Sequence, residues 1–144
     1  MTIEEIEQMW DKDSEIDRSE LGEEALKIPQ LHAKYYKIYL RERLILKKLE
    51  ADMRVLDLQL REFYLDGPTK ETREMGWEPP AKGRILRNDL DVYLGADPRH
   101  VELSLRIGTQ HEKIAFLDSI LKTIGGRNYQ ITNGIAWVKF TNGQ

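Results

Sequence analysis

Lys70, Arg73, Trp77, Lys82, Arg84 and Arg87 fall within one stretch, Gly67 to Arg87, that holds only three acids, Glu71, Glu74 and Glu78. Cations that track phosphates, beside aromatic faces that stack on bases, are what a protein needs to hold a single nucleic-acid strand. A second grouping, Arg54 to Tyr64, sets Arg61 close to Phe63 and Tyr64. Each aromatic also has a structural reading, with Phe63 and Tyr64 as caps of a core and Trp77 as a pin for its loop. A third set, Lys34, Lys37, Arg41, Lys47 and Lys48, is equally the solvated side of a helix.

Other chemistry lacks its residues. His32, His100 and His111 form no His-Glu-x-x-His pattern, and adjacent His111 and Glu112 would point about 100° apart on a helix, a poor start for joint ligation. With no cysteine there is no disulfide, thiol nucleophile or thiolate metal site. Gly-x-Ser-x-Gly and Ser-x-x-Lys are absent, and Gly125-Gly126-Arg127 follows a helix where a phosphate loop follows a strand. No enzyme, cofactor or metal site is expected. A nuclease or hydrolase would need clustered carboxylates around a metal. The remaining alternative is a helical scaffold without DNA affinity.

The chain of 144 residues favours one protomer and carries a net charge of −3, but the charge is uneven. Residues 1–28 hold three basic and ten acidic side chains, residues 29–66 eight and six, residues 67–100 six of each, and residues 101–144 five and three. An acidic head on a mildly basic body serves either solubility or contact with a basic partner. No window approaches the ~18 to 20 apolar residues that span a bilayer, so no membrane association is expected. Met1-Thr2-Ile3-Glu4-Glu5 is acidic where a signal peptide is basic, which points to a soluble intracellular protein.

These residues must be positioned by helices. Thr2 and Glu5 match a capping box, and Asp17 with Glu20 repeats the acidic-cap pattern. Pro29 either kinks the chain or opens a new helix. The main feature, within 29–66, is an apolar series at Leu31, Tyr35, Ile38, Ile45, Leu49, Met53, Leu56, Leu60 and Phe63, with Glu42 at one seam position. Such a helix runs about 50 Å, whereas a compact chain of this length is roughly 35 to 40 Å across. Burying the whole stripe therefore predicts self-association. A loop is expected over 67–84, a short helix from Ile85 ended by Gly95, and a helix capped by Asp97 that Gly125-Gly126 stops. For the tail, Asn133-Gly134 allows a hairpin, while Ile131, Ile135 and Val138 follow helical spacing; a short helix is preferred. The fold class is mostly α: a long amphipathic helix and a C-terminal helical region, 85–144, joined by a Pro/Gly loop.

Ile16-Asp17, Leu21 and Ala25, the long basic-apolar helix, its end Leu60-Arg61-Glu62-Phe63-Tyr64-Leu65-Asp66-Gly67, then Arg127-Asn128-Tyr129-Gln130-Ile131, Phe140 and Gly143 together resemble the UvsY recombination mediators of T-even-like bacteriophages. The resemblance lies in order, spacing and length across nearly the whole chain. It implies a largely helical protein in ring-like hexamers or heptamers, acting in the host cell cytoplasm without catalysis. Its implied partners are single-stranded DNA, the phage recombinase and the phage single-stranded-DNA-binding protein, the recombinase being loaded onto strands that the last has coated. In the family a Lys-x-Arg pair followed by aromatics contributes to DNA binding. Here Arg61 and Tyr64 match, and Gln59 stands at the lysine position. Lys82, Arg84 and Arg87 are the nearby charges that could compensate. Arg54, Lys70, Arg73 and Trp77 complete the expected DNA-binding set. The family's assembly region assigns Ile114, Leu117, Leu121 and Ile124 partly to an interface.

Overall fold

The computed structural model describes residues 1–143. Its elements are α1 (Ile3–Asp13), α2 (Leu21–Asp66), α3 (Lys70–Glu74), α4 (Leu90–Ala96), which follows a 3-10 turn at Arg87–Asp89, and α5 (Pro98–Thr141). No strand occurs among the described residues. The chain divides into two compact units, one of residues 1–43 with 112–144 and one of residues 44–111.

In the first unit, Thr2 and Glu5 form the expected reciprocal capping box on α1. The other end of α1 is closed by tertiary contact: Arg127 Nη2 donates to the carbonyls of Asp13, Ser14 and Glu15 at 3.0, 2.9 and 3.2 Å. A guanidinium there satisfies orphan carbonyls and opposes the negative helix end. Asp13 also accepts from Lys34 Nζ at 2.6 Å and from the Tyr35 hydroxyl at 2.9 Å. Burial first, and this carboxylate second, push the Tyr35 phenol well above its ordinary range. Ile6, Tyr35, Ile38, Leu117, Ile120 and Ile124 make the core.

Helix α2 starts earlier than Pro29. Asp17 Oδ1 accepts from the Ser19 amide and hydroxyl at 3.0 and 2.6 Å, and the helix begins at Leu21. Pro29 lies inside it without ending it. The missing amide removes one hydrogen bond, while Ile28 and Leu31 on either side pack against the core and hold the helical path. Helix α5 likewise overrides its breakers. Gly125-Gly126 does not stop it, and neither a hairpin nor a separate short helix forms at Asn133-Gly134. Each glycine costs about 1 kcal/mol of helix propensity, but Ile124, Arg127 and Ile131 are buried around them and fix the turns by packing. Gly134 lies beside Leu21, where an added Cβ would reach Leu21 Cδ1 at 3.6 Å.

The stripe expected to need a second subunit is largely spent inside the protomer. Tyr35 and Ile38 are buried in the first unit, and Leu49, Leu60 and Phe63 in the second, while Ile45 stays exposed. The seam residue Glu42 is also buried and receives Lys113 Nζ at 3.2 Å. The α2 apolar residues left outside are a different set, Leu40, Leu44, Val55 and Leu58 among them. In the second unit, Leu60, Phe63, Tyr64, Ile85, Leu90 and Leu94 make the core.

Candidate nucleic-acid interface

The cation-rich stretch is a tightly tied loop in the second unit. Gly67, at φ 91°, donates to Phe63 O and turns the chain off α2. Thr69 and Thr72 bond reciprocally and start the five-residue α3, a helical turn where only loop was expected. Trp77 N donates to Thr72 O at 2.9 Å, Gly83 N to Pro80 O at 2.9 Å, and Ile85 N to Tyr64 O at 3.0 Å. The last bond returns the loop to the end of α2. Gly76 and Gly83, at φ 78° and 83°, take left-handed turns that side chains disfavour. Ile85 and Leu86 precede the 3-10 turn, so the helix expected from Ile85 begins only at Leu90.

Beneath the loop, Asp97 is 2% exposed and is the busiest acceptor of the unit. It receives the Tyr64 hydroxyl at 2.6 Å, Arg99 Nε at 2.9 Å, Arg99 Nη2 at 2.6 Å and the Arg99 amide at 2.9 Å. The amide bond is the α5 cap expected from Asp97-Pro98. Burial works to raise the Asp97 pKa, but the hydrogen bonds from Arg99 and Tyr64 outweigh it and bring the value down to about 2. Burial, then the bond to Asp97, pushes Tyr64 up to about 12. The Arg99 guanidinium lies 4.0 Å from the Trp77 ring centroid and 5.7 Å from that of Phe63, and the two rings meet edge to face at 5.5 Å.

This arrangement sorts the residues expected to bind DNA. Lys70, Arg73, Lys82, Arg84 and Arg87 are exposed, as are Arg54 and Gln59. Among the described residues none of these six cations makes an ion pair. Arg73 and Arg84 line one cavity of about 310 Å³ with Phe63, Asp66, Pro79 and Pro80. Arg61 differs: its Nε bonds Asp57 Oδ2 at 2.7 Å and its Nη2 lies 3.9 Å from Asp91, and the Asp57 bond raises its pKa. Tyr64 is 8% exposed with its hydroxyl bound to Asp97, so it is a core residue and not a free stacking face. Trp77 is half-buried, pinned as the structural reading had it, with Arg99 over its ring.

The four residues assigned to assembly lie on α5. Leu117 and Ile124, 0% and 1% exposed, belong to the protomer's own core, while Ile114 and Leu121 are half-buried. The exposed apolar surface of α5 lies further along, at Tyr129, Trp137 and Phe140, the last two stacked at 5.8 Å. Sequence reasoning missed Arg99, because no periodicity or motif links it to a tryptophan 22 positions away.

The described residues make an all-α protein with five exposed cations free of ion pairs on one tied loop; no group of their side chains could hold a metal ion, and no helix among them is long and apolar enough to cross a membrane. The family described as "Recombination, repair and ssDNA binding protein UvsY" matches residues 9–144, and the chain belongs to the UvsY family. Crystal structures of the recombination mediator protein UvsY of bacteriophage T4 share its fold. One has a TM-score of 0.81 at 21% identity, covering 99% of this chain and 98% of that one. A second has a TM-score of 0.80 at 18% identity, covering 98% and 99%. A third lattice form gives 0.79 at 19% identity over 95% and 98%. No curated protein sequence matches the chain.

Proposed function

We propose that this protein is a recombination mediator that binds single-stranded DNA without sequence preference. It promotes loading of a phage recombinase onto strands coated by single-stranded-DNA-binding protein, in the cytoplasm of the host. The observation that carries the reading is the set of five exposed cations, Lys70, Arg73, Lys82, Arg84 and Arg87, left without ion pairs between Gly67 and Arg87. Elsewhere Lys34, Lys48, Arg61, Arg99, Lys113 and Lys122 face carboxylates, while Lys37, Arg41, Lys47 and Arg54 are exposed on α2. Free cations that meet phosphates displace the counterions condensed on the strand, and that release drives strand binding.

One protomer offers few such charges. A ring-like homo-oligomer, hexamer or heptamer, would repeat them along one strand, and linked contacts raise avidity by about 10² to 10⁴. The exposed Tyr129, Trp137 and Phe140 on α5 support assembly through that end. Titrating labelled oligothymidylate at two salt concentrations tests strand binding. The double variant Arg73→Ala/Arg84→Ala should bind weakly, with the salt slope reduced by about two per protomer contact set. A helical scaffold without DNA affinity predicts binding no better than a neutral control at low salt. Native mass measurement with and without the strand reads subunit number and stoichiometry together.

A further inference from the structure

We propose that Arg99 is a positioning residue for strand binding: gripped by Asp97 and stacked on Trp77, it holds the 67–84 loop in the shape that presents Arg73 and Arg84. The role rests on the strand-binding reading above and adds a device to it. Arg99 cannot be counted among the free cations, since both of its bonding nitrogens are taken by Asp97 at 2.9 and 2.6 Å. What it offers instead is its flat face, 4.0 Å from Trp77. Phe63, under the same guanidinium, lines the cavity that Arg73 and Arg84 also line. A buried carboxylate, a stacked guanidinium and two rings that meet edge to face thus lead to the wall of the cavity that the two unpaired cations also line. Arginine suits this task and lysine does not, because only the planar fork bonds a carboxylate with two nitrogens while stacking on an indole.

The position of Asp97 makes the idea testable by sign. If charge alone mattered, Asp97→Asn would remove an acid from beside a polyanion site and tighten binding. If Asp97 acts by gripping Arg99, the same change releases the loop and weakens binding. Oligothymidylate titrations on the full chain, at two salt concentrations, should show Asp97→Asn and Arg99→Lys each weakening affinity about tenfold, with the salt slope lowered by about one. A direct phosphate contact would instead tolerate lysine. Trp77→Leu, which leaves the α5 cap intact, should weaken binding similarly and keeps the test open if Asp97→Asn fails to fold. With Trp10 and Trp137 replaced by phenylalanine, acrylamide quenching of Trp77 should rise in Arg99→Lys without any DNA present. Tighter or unchanged binding by Asp97→Asn, or wild-type affinity in Arg99→Lys, overturns the positioning role alone. A wild-type chain that holds no strand at low salt overturns the strand-binding reading, and the positioning role with it, whatever the quenching shows.

Discussion

Arg127 and Arg84 carry the same side chain at opposite extremes of commitment. Arg127 is 5% exposed and spends Nη2 on three backbone carbonyls that end α1. Arg84 is exposed, makes no ion pair, and lies beside Gly67, where an added Cβ would be 3.7 Å from its Nε. The first region uses charge to close a fold; the second leaves charge open to solvent on a loop tied at both ends. Counting basic residues would rank the two regions alike. What separates them is whether the local structure has already supplied the acceptors.

The comparison breaks most sharply at the core of the first unit. Leu117→Ala should cost about 3 to 4 kcal/mol, the range for emptying a fully buried leucine site, read as a lowered urea midpoint. If Leu117 served an interface instead, the loss would appear as a change in subunit number at unchanged unfolding cooperativity. Arg127→Ala should follow at about 2 kcal/mol, since three carbonyls lose a charged donor. Strand affinity per folded molecule should stay at the wild-type value. A loss of affinity at full stability would mean that Arg127 belongs with the open cations after all.

These two positions also show what was legible beforehand. The Thr2 and Glu5 cap, the long apolar series of α2 and the Asp97-Pro98 start of α5 could be read because each depends on neighbours within one or two turns. Pro29 and Gly125-Gly126 misled for the converse reason. Local propensity is worth about 1 to 3 kcal/mol, and it is outweighed because the flanking Ile28, Leu31, Ile124 and Arg127 are held by partners remote in sequence. At the candidate site, Lys70 to Arg87 was visible as composition, and Asp57 lies at helical i,i+4 spacing from Arg61, whereas the second partner of Arg61 and the partner of Tyr64 were not visible. Asp91 and Asp97 come from 30 and more positions away, and no spacing rule joins them.

The Asp97 network should sharpen the contrast through pH. Asp97 titrates near 2 in the fold against an ordinary 3.8, so its contribution is present above pH 4 and is lost as pH falls through 2. Tyr64 titrates near 12 against 10, so its contribution is present below pH 10 and is lost as pH rises through 12. Urea midpoints should therefore fall as pH drops from 4 towards 2 and again as it rises from 10 towards 12, and Asp97→Asn should flatten the acid limb. An unchanged acid limb in that variant would place the carboxyl outside the network.

The smallest effect is expected at Arg61, the residue that family resemblance puts foremost. Its guanidinium already faces Asp57 at 2.7 Å and Asp91 at 3.9 Å, so a phosphate would have to compete with two carboxylates for it. Arg61→Ala should change strand affinity by less than about threefold, through the net charge it removes rather than a lost contact. The salt slope separates the two origins, because a long-range field change leaves the number of displaced counterions nearly constant. Adding Asp57→Asn restores the net charge without restoring a phosphate contact. Recovery of wild-type affinity in that double variant keeps Arg61 with the committed cations, whereas a persistent loss with a slope lowered by about one would move it to the open set beside Arg84.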